Sequence, residues 1–152
     1  MIVILTAPIQ SGKTTSLIGW SVKRDDVYGI LAPVVNGKRV FMNANTKEQF
    51  PMEANIGEVE TVRVGKFVFS KPNFEKAIQI ICDAIDKNGW LVIDEIGPLE
   101  LRDEGFSGIL KKVIAKRKEN ILLVVRDGLA QKVKDSFDMQ QAVIITIIES
   151  LP

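Results

Sequence analysis

The chain contains no histidine and only one cysteine, Cys82, among its 152 residues. The lack of histidine excludes histidine-based catalysis and histidine metal ligands, and a lone cysteine excludes an internal disulfide and a cysteine metal cluster. The formal net charge is only +1, so no excess of one sign favours nucleic acid or an anionic membrane as a partner. We therefore expect any chemistry to use carboxylates, Lys, Arg and backbone amides, together with a bound metal ion.

Long apolar runs are lacking as well, and none approaches the roughly 18 residues of a membrane span. The first loop motif begins too near Met1 to leave room for a signal peptide, so we expect a cytoplasmic protein. Repeats, linkers and low-complexity segments are absent from the sequence. Its length and its ordinary share of charged and apolar residues predict a single α/β domain over residues 1–152.

The first fifteen residues combine a strand, a loop and a helix, which is the setting of a phosphate-binding loop. Residues 2–5 are apolar and predict a buried strand, and a helix is expected to open at Gly12-Lys13-Thr14. Between them the sequence fits GxxxxGK[ST], with Ala7 in place of the usual first glycine. The expected phosphate-binding residues are Ala7, Pro8, Ile9, Gln10, Ser11, Gly12, Lys13, Thr14 and Thr15. Backbone N–H groups would cradle the anion, Lys13 would reach the β- and γ-phosphates, and the Thr14 hydroxyl would bind Mg²⁺.

The next segment predicts an inserted antiparallel hairpin over about residues 29–43. Its signal is Asn36-Gly37 between two strand-like runs, the strongest short-range hairpin pattern. Residues 43–57 are polar and irregular, and either a mobile loop or a plain connector is expected there. A strand over residues 62–69, interrupted by Gly65-Lys66, then precedes a helix that has Pro72 in its first turn and is stopped by Asn88-Gly89.

A second candidate motif is the pair Asp94-Glu95, which follows the apolar run at residues 90–93. A continuous apolar run predicts a parallel strand buried on both faces, and ligands bind at the carboxyl ends of such strands. Asp94 is then placed to hold Mg²⁺, usually through water, and Glu95 to orient and deprotonate an attacking water. The alternative is two solvated acids in a turn, which the accompanying phosphate loop disfavours.

The last third predicts a helix, a strand that ends at Arg126, a short helix over residues 129–137 and a strand over residues 142–148. Arg126 would reach the same sheet edge, either as a phosphate-sensing or transition-state cation or as part of a strand-end salt bridge. The basic residues Lys111, Lys112, Lys116, Arg117 and Lys118 fall mostly off the apolar stripe of their helix. We interpret them as a solvated face instead of a partner-binding patch.

Three segments together resemble the small P-loop nucleoside-triphosphatases known as the thermophile-type or cancer-related family. The specific one is Asp-Glu-Ile-Gly-Pro-Leu-Glu-Leu at residues 94–101, and the others are residues 64–68 and 124–126. The resemblance implies a RecA-like P-loop core that hydrolyses the β–γ bond of several nucleoside triphosphates slowly and with little base preference. By position it implies phosphate and Mg²⁺ contacts at Lys13 and Thr14, an acidic metal residue at Asp94, a base at Glu95 and the family's arginine at Arg126.

The sequence departs from this family in its phosphate loop and hairpin. Side chains replace the usual glycines before Gly12, which predicts weaker nucleotide binding. Val125 stands where the family often has histidine, and the first hairpin strand, Ala32-Pro-Val-Val35, lacks the usual charged residues. Three functions therefore remain open. A Mg²⁺-dependent nucleoside-triphosphatase is favoured, a nucleotide-binding switch with an unknown protein partner is second, and a small-molecule kinase, for which no Arg-rich lid is found, is third.

Overall fold

A mixed sheet of eight strands forms the centre of the fold in the computed structural model, which describes residues 1–8, 11–64 and 67–151. The strands, including a separate pair β6 and β7, are β1 (Ile2–Leu5), β2 (Val27–Leu31), β3 (Val34–Val35), β4 (Lys38–Asn43), β5 (Gln49–Pro51), β6 (Thr61–Val64), β7 (Phe67–Ser70), β8 (Trp90–Ile96), β9 (Asn120–Val125) and β10 (Val143–Ile145). The helices are α1 (Lys13–Val22), α2 (Lys71–Asp83), α3 (Pro98–Leu101), α4 (Ser107–Lys116) and α5 (Ala130–Ser136), with a 3₁₀ turn at Ile148–Ser150.

The order of the strands across the sheet is β10-β1-β9-β8-β2-β4-β3, and β5 also pairs with β4. The pairs from β10 through β2 are parallel, whereas β2-β4, β4-β3 and β4-β5 are antiparallel. Strand β9 lies between β1 and β8, so the two motif-bearing strands are separated as the RecA-like prediction requires. The mainly parallel α/β sheet with an inserted antiparallel hairpin is thereby confirmed.

Residues from both faces of this sheet are buried, because side chains alternate along each strand. In β1, Ile2 and Ile4 pack into the larger apolar cluster beneath α2, α4 and α5, whereas Val3 and Leu5 face α1 and the 3₁₀ turn. All four are buried. Within the described part of the chain no helix combines the length and apolar content needed to cross a membrane.

The hairpin between β3 and β4 turns at Asn36-Gly37, as predicted. Both residues have positive φ, 52° and 76°, which matches a type I′ turn and the twist of the flanking strands. The following segment, expected to be irregular, instead contains β5. Phe50 of β5 stands opposite Phe41 of β4, with the ring centroids 5.4 Å apart. Burial of these aromatic side chains outweighs the polar composition around them and orders the segment.

Other boundaries also differ from the sequence prediction. The expected single strand over residues 62–69 is the antiparallel pair β6 and β7, and its interrupting residues Gly65 and Lys66 lie outside the described residues. Helix α2 has Pro72 in its first turn as predicted and is capped by Ser70, but it ends at Asp83, earlier than the Asn88-Gly89 stop. Strand β10 covers less than the predicted residues 142–148, since a 3₁₀ turn follows it.

The prediction that Arg117 lies on a solvated face is wrong. Its side chain is buried, and burial lowers its pKa. Lys111, Lys112, Lys116 and Lys118 are exposed as expected. The guanidinium donates five hydrogen bonds of 2.8 to 3.1 Å to the carbonyl oxygens of Ala84, Ile85, Lys87, Gly89 and Asn120. Arg117 therefore joins the end of α4 to the segment between α2 and β8.

Candidate active site

A cavity of about 740 Å³ opens at the carboxyl ends of the parallel strands β1, β8 and β9. The site residues predicted from sequence that line it are Ser11, Gly12, Lys13, Thr14, Thr15, Asp94, Glu95 and Arg126. Ala7 is buried at the end of β1 and Pro8 is exposed, and neither belongs to the cavity lining. Ile9 and Gln10 lie outside the described residues. The structure thus brings the two sequence motifs and Arg126 into one site.

The phosphate-loop end of the cavity is formed by the start of α1. Gly12 precedes the helix with φ +81°, in the left-handed region that glycine adopts without strain. Because Gly12 has no side chain, it offers no capping oxygen to the first N–H groups of α1, which also lack partners within the helix. These N–H groups and the positive end of the helix dipole favour an anion here. Lys13 and Thr14 are partly buried beside them.

Asp94 is a buried carboxylate that lines the same cavity, with 1% of its surface exposed. Its Oδ2 accepts a hydrogen bond from the Ala32 N–H at 3.0 Å, and its Oδ1 accepts one from the Glu95 N–H at 2.8 Å. Burial raises the pKa of Asp94 to about 7, with a further contribution from the negative charge of Glu95. The two hydrogen bonds and the positive charge of Lys13 oppose that rise in pKa without cancelling it.

Burial disfavours the ionised form of the Asp94 carboxyl. A cation bound beside it would stabilise that form. The available donors, the Asp94 carboxylate and the Thr14 hydroxyl, are the hard oxygen ligands that Mg²⁺ prefers. In the described residues no cluster of three or more His, Cys, Asp or Glu side chains is arranged to hold a metal. Mg²⁺ commonly binds through one or two protein oxygens together with water and phosphate, so the donor set fits a nucleotide-associated ion better than a closed metal cage.

Glu95 occupies a β-bulge near the end of β8, directly after Asp94. The register between β8 and β9 shifts between Ile93 and Ile96, and Glu95 has φ +66°. A residue with a side chain in this left-handed region is strained by about 1–2 kcal/mol. Bulges beside active sites re-aim side chains in this way. As a result Asp94 points into the protein, and Glu95 faces the more open part of the cavity.

Arg39 of β4 is the charged partner of Glu95, and the sequence prediction missed it. Its Nη1 lies 2.5 Å from Glu95 Oε1, and its guanidinium lies over the Phe67 ring, 5.9 Å from the centroid. The side chains of Arg39 and Glu95 are 31% and 37% exposed, and pairs with such exposure contribute only about 0–1 kcal/mol. The one signal for this contact in the sequence was the Asn36-Gly37 turn, which folds β4 back toward the carboxyl ends of the parallel strands.

Glu100 is a second buried carboxylate that the sequence prediction assigned no structural role. Its Oε1 accepts a hydrogen bond from the Gly97 N–H at 2.7 Å, and its Oε2 accepts one from the Phe106 N–H at 2.9 Å. Burial raises its pKa despite these bonds. Gly105 packs so closely that an added Cβ would lie 2.2 Å from Glu100 Oε2. Glu100 therefore fixes the turn that follows β8 and with it the wall of the cavity.

Arg126 reaches the cavity from the end of β9. Its backbone N–H donates to the Ile96 carbonyl at 2.9 Å, and its side chain is exposed. With respect to residues 1–8, 11–64 and 67–151, the side chain of Arg126 forms no ion pair. The strand-end salt bridge is thus not formed within that part of the chain, and the phosphate-contacting role stays a prediction.

The remaining wall of the cavity is apolar and aromatic. It is lined by side chains from β4, β7, α2 and the segment before α4, and Val34 and Phe67 flank its opening. Phe41, Phe74 and Phe106 contact one another with centroid separations of 5.1 to 6.0 Å. This wall gives the cavity an apolar surface beside its charged residues.

Comparisons with known proteins agree with this fold. A model of the NTPase family matches residues 2–150. The crystal structure of THEP1 from the hyperthermophile Aquifex aeolicus superposes with a TM-score of 0.77 at 20% identity, covering 99% of this chain and 92% of that one. The solution structure of a human cancer-related nucleoside triphosphatase gives a TM-score of 0.70 at 22% identity, covering 97% and 89%. A search of curated proteins found no match. The family resemblance predicted from sequence is confirmed.

Proposed function

The chain belongs to the NTPase family, and we propose that it is a Mg²⁺-dependent phosphohydrolase that cleaves the β–γ bond of nucleoside triphosphates with little base preference. The observation that carries this proposal is the convergence of Lys13, Thr14, Asp94 and Glu95 on one cavity. Phosphate-binding, metal-binding and water-activating groups are the parts that such hydrolysis requires.

Each proposed role follows from the place of the residue in the cavity. The N–H groups at the start of α1 and the Lys13 ammonium bind phosphate oxygens, and Thr14 and Asp94 would hold Mg²⁺. Mg²⁺, when bound, neutralises phosphate charge. Glu95 accepts a proton from water, whose oxygen attacks the γ-phosphorus as the bond to the β–γ bridging oxygen breaks. Arg126 would contribute positive charge toward the phosphates. Nucleoside diphosphate and inorganic phosphate are the products.

A nucleotide-binding switch with little hydrolysis is the second candidate, and one observation favours it. The proposed base, Glu95, accepts a hydrogen bond from Arg39, so water activation requires that this contact change. A kinase is disfavoured because β9 separates β1 from β8, whereas the kinase-like division would place them side by side.

The substitution Glu95→Gln tests hydrolysis directly. Glutamine keeps the size of the side chain but does not take a proton from water, and a positioned general base contributes about 10²–10⁴-fold in rate. We expect phosphate release from ATP, GTP, CTP and UTP to fall at least about 100-fold, while triphosphate and Mg²⁺ affinity stay near the parental values.

The matched control is Glu104→Gln, an exposed carboxylate beyond α3 that does not line the cavity, and it should leave turnover unchanged. Equal turnover in Glu95→Gln and the parent would exclude Glu95 as the base. A parent that binds all four triphosphates yet shows no Mg²⁺-dependent turnover would instead leave the nucleotide-binding switch as the better account.

A further inference from the structure

The guanidinium of Arg39 lies at the open side of the candidate active site, although no motif predicted it there. It lines the same cavity as Lys13, Asp94 and Glu95. The hairpin fixes its backbone, because Arg39 stands opposite Val34 across the turn and its N–H donates to Glu53 Oε2 at 2.7 Å. The side chain therefore starts from a held position at the edge of the site.

Most of the hydrogen-bonding capacity of Arg39 remains unused within the described residues. A guanidinium carries five N–H donors, and in that part of the chain the side chain donates one hydrogen bond, from Nη1 to Glu95 Oε1. Phe67 supports the guanidinium through its ring face. Arginine contacts phosphate bidentately through such a set of planar donors. The unused donors therefore make a phosphate group a chemically suitable further partner for Arg39.

Glu95, the ion-pair partner of Arg39, is the proposed general base, and the proposed reaction needs its carboxylate free to accept a proton from water. While Arg39 binds Oε1, that oxygen of Glu95 is engaged and its charge is partly neutralised, so it is a poorer acceptor for a water proton. Both side chains are roughly one-third exposed, and ion pairs in such surroundings are weak. A triphosphate held at Lys13 and Thr14 carries several negative charges and competes well with one carboxylate for Arg39.

We propose that Arg39 contacts the γ-phosphate of a bound nucleoside triphosphate and, in moving from Glu95 to the phosphate, releases Glu95 to activate water. This inference rests on the proposed function and adds a catalytic residue and an activation step to it. The guanidinium stabilises charge on the γ-phosphoryl oxygens, Glu95 takes the proton of the attacking water, and the nucleoside diphosphate leaves with the electron pair of the broken P–O bond.

A diphosphate has no γ-phosphate and therefore provides a binding test that does not depend on turnover. In Arg39→Ala we expect triphosphate affinity to fall about tenfold relative to diphosphate affinity. We expect kcat to fall at least about 100-fold, which is less than the roughly 10³–10⁵-fold contribution of arginines that stabilise the transition state in other NTPases. Arg39→Lys keeps the charge but loses the planar donors, so it should recover the binding preference more than kcat. Lys38→Ala is the matched control, because Lys38 is exposed on the same hairpin and does not line the cavity.

Calorimetry with non-hydrolysable triphosphate and with diphosphate gives the two affinities, phosphate release gives kcat, and thermal unfolding checks the fold. Parental kcat with an unchanged triphosphate preference in Arg39→Ala would show that Arg39 is only structural. Faster hydrolysis in that variant would show a restraint on Glu95 without phosphate contact, which also overturns the proposal. If the parent hydrolyses nothing, the hydrolase assignment fails, and the ratio of the two affinities still decides whether Arg39 binds the γ-phosphate.

Discussion

Burial of Asp94 predicts that the metal-free, nucleotide-free chain loses stability as the pH rises from about 4 to about 7. The folded protein raises the pKa of this carboxyl from 3.8 to about 7, so between these values the native state holds a proton that the unfolded chain has released. Stability falls with pH wherever the native state binds more protons than the unfolded state. The contribution is complete below pH 4 and lost above pH 7.

The size of the effect follows from the difference in pKa. One pKa unit corresponds to about 1.4 kcal/mol, so a shift from 3.8 to about 7 amounts to about 4 kcal/mol of unfolding free energy. Glu100, whose pKa is also raised by burial, acts in the same direction. Asp26 and Asp103 have lowered pKa values and act in the opposite direction, but both are exposed, so their effect is screened.

The control that isolates Asp94 is Asp94→Asn, which has no titrating group and keeps one carbonyl oxygen to accept a backbone N–H. Urea unfolding in EDTA can be followed by the fluorescence of Trp90, which is buried. Between pH 4.5 and pH 8 we expect the parent to lose about 2–4 kcal/mol more than the variant. If the losses of unfolding free energy between pH 4.5 and pH 8 differ by less than about 1 kcal/mol between the parent and Asp94→Asn, the claim that Asp94 is a largely uncompensated buried acid is refuted.

Two further predictions separate binding from structure. Lys13→Ala should weaken ATP binding about 10–100-fold, as expected for loss of a charge-assisted phosphate contact, and its thermal unfolding temperature should stay near that of the parent. If calorimetry gives the parental affinity, the phosphate-loop assignment is contradicted. Arg117→Met should lower the unfolding free energy by at least about 3 kcal/mol, because it leaves buried carbonyl groups without donors. The exposed control Lys116→Met should stay within about 0.5 kcal/mol of the parent. Equal urea midpoints for the two variants would contradict the structural role of Arg117.

The sequence predicted the features that depend on neighbouring residues. The loop before α1 and the acidic pair at the end of β8 each follow an apolar strand, and parallel strands necessarily bring their carboxyl ends to one edge. The Asn36-Gly37 turn was predicted for the same reason, since positive φ at both positions selects these residue types. Local pattern and sheet polarity together were enough to assemble Lys13, Thr14, Asp94 and Glu95.

Features that depend on strand register were not predictable in this way. Arg39 and Glu95 are 56 positions apart in the chain, and their contact requires both the β2-β4 and the β2-β8 registers. Arg117 was misjudged because its charge was taken as a sign of exposure, although it lies four residues after Val113, on the buried stripe of α4. Its partners are carbonyl groups of the segment before β8, about 30 positions earlier in the chain, which the sequence of α4 alone does not reveal.

The site combines three arrangements that reduce stability or contribute little to it. Glu95 is strained by its φ of +66°, Asp94 is a buried acid with a raised pKa, and the Arg39–Glu95 pair is too exposed to contribute much. Asp94 and Glu95 lie near the end of β8, whose other side chains are buried, and Arg39 reaches them from β4. Strained or desolvated groups persist only where the surrounding structure is rigid enough to hold them, and they concentrate at functional sites. Under the proposed function, a bound triphosphate with Mg²⁺ would compensate the charge of Asp94 and engage Arg39, and these groups would then stabilise one another.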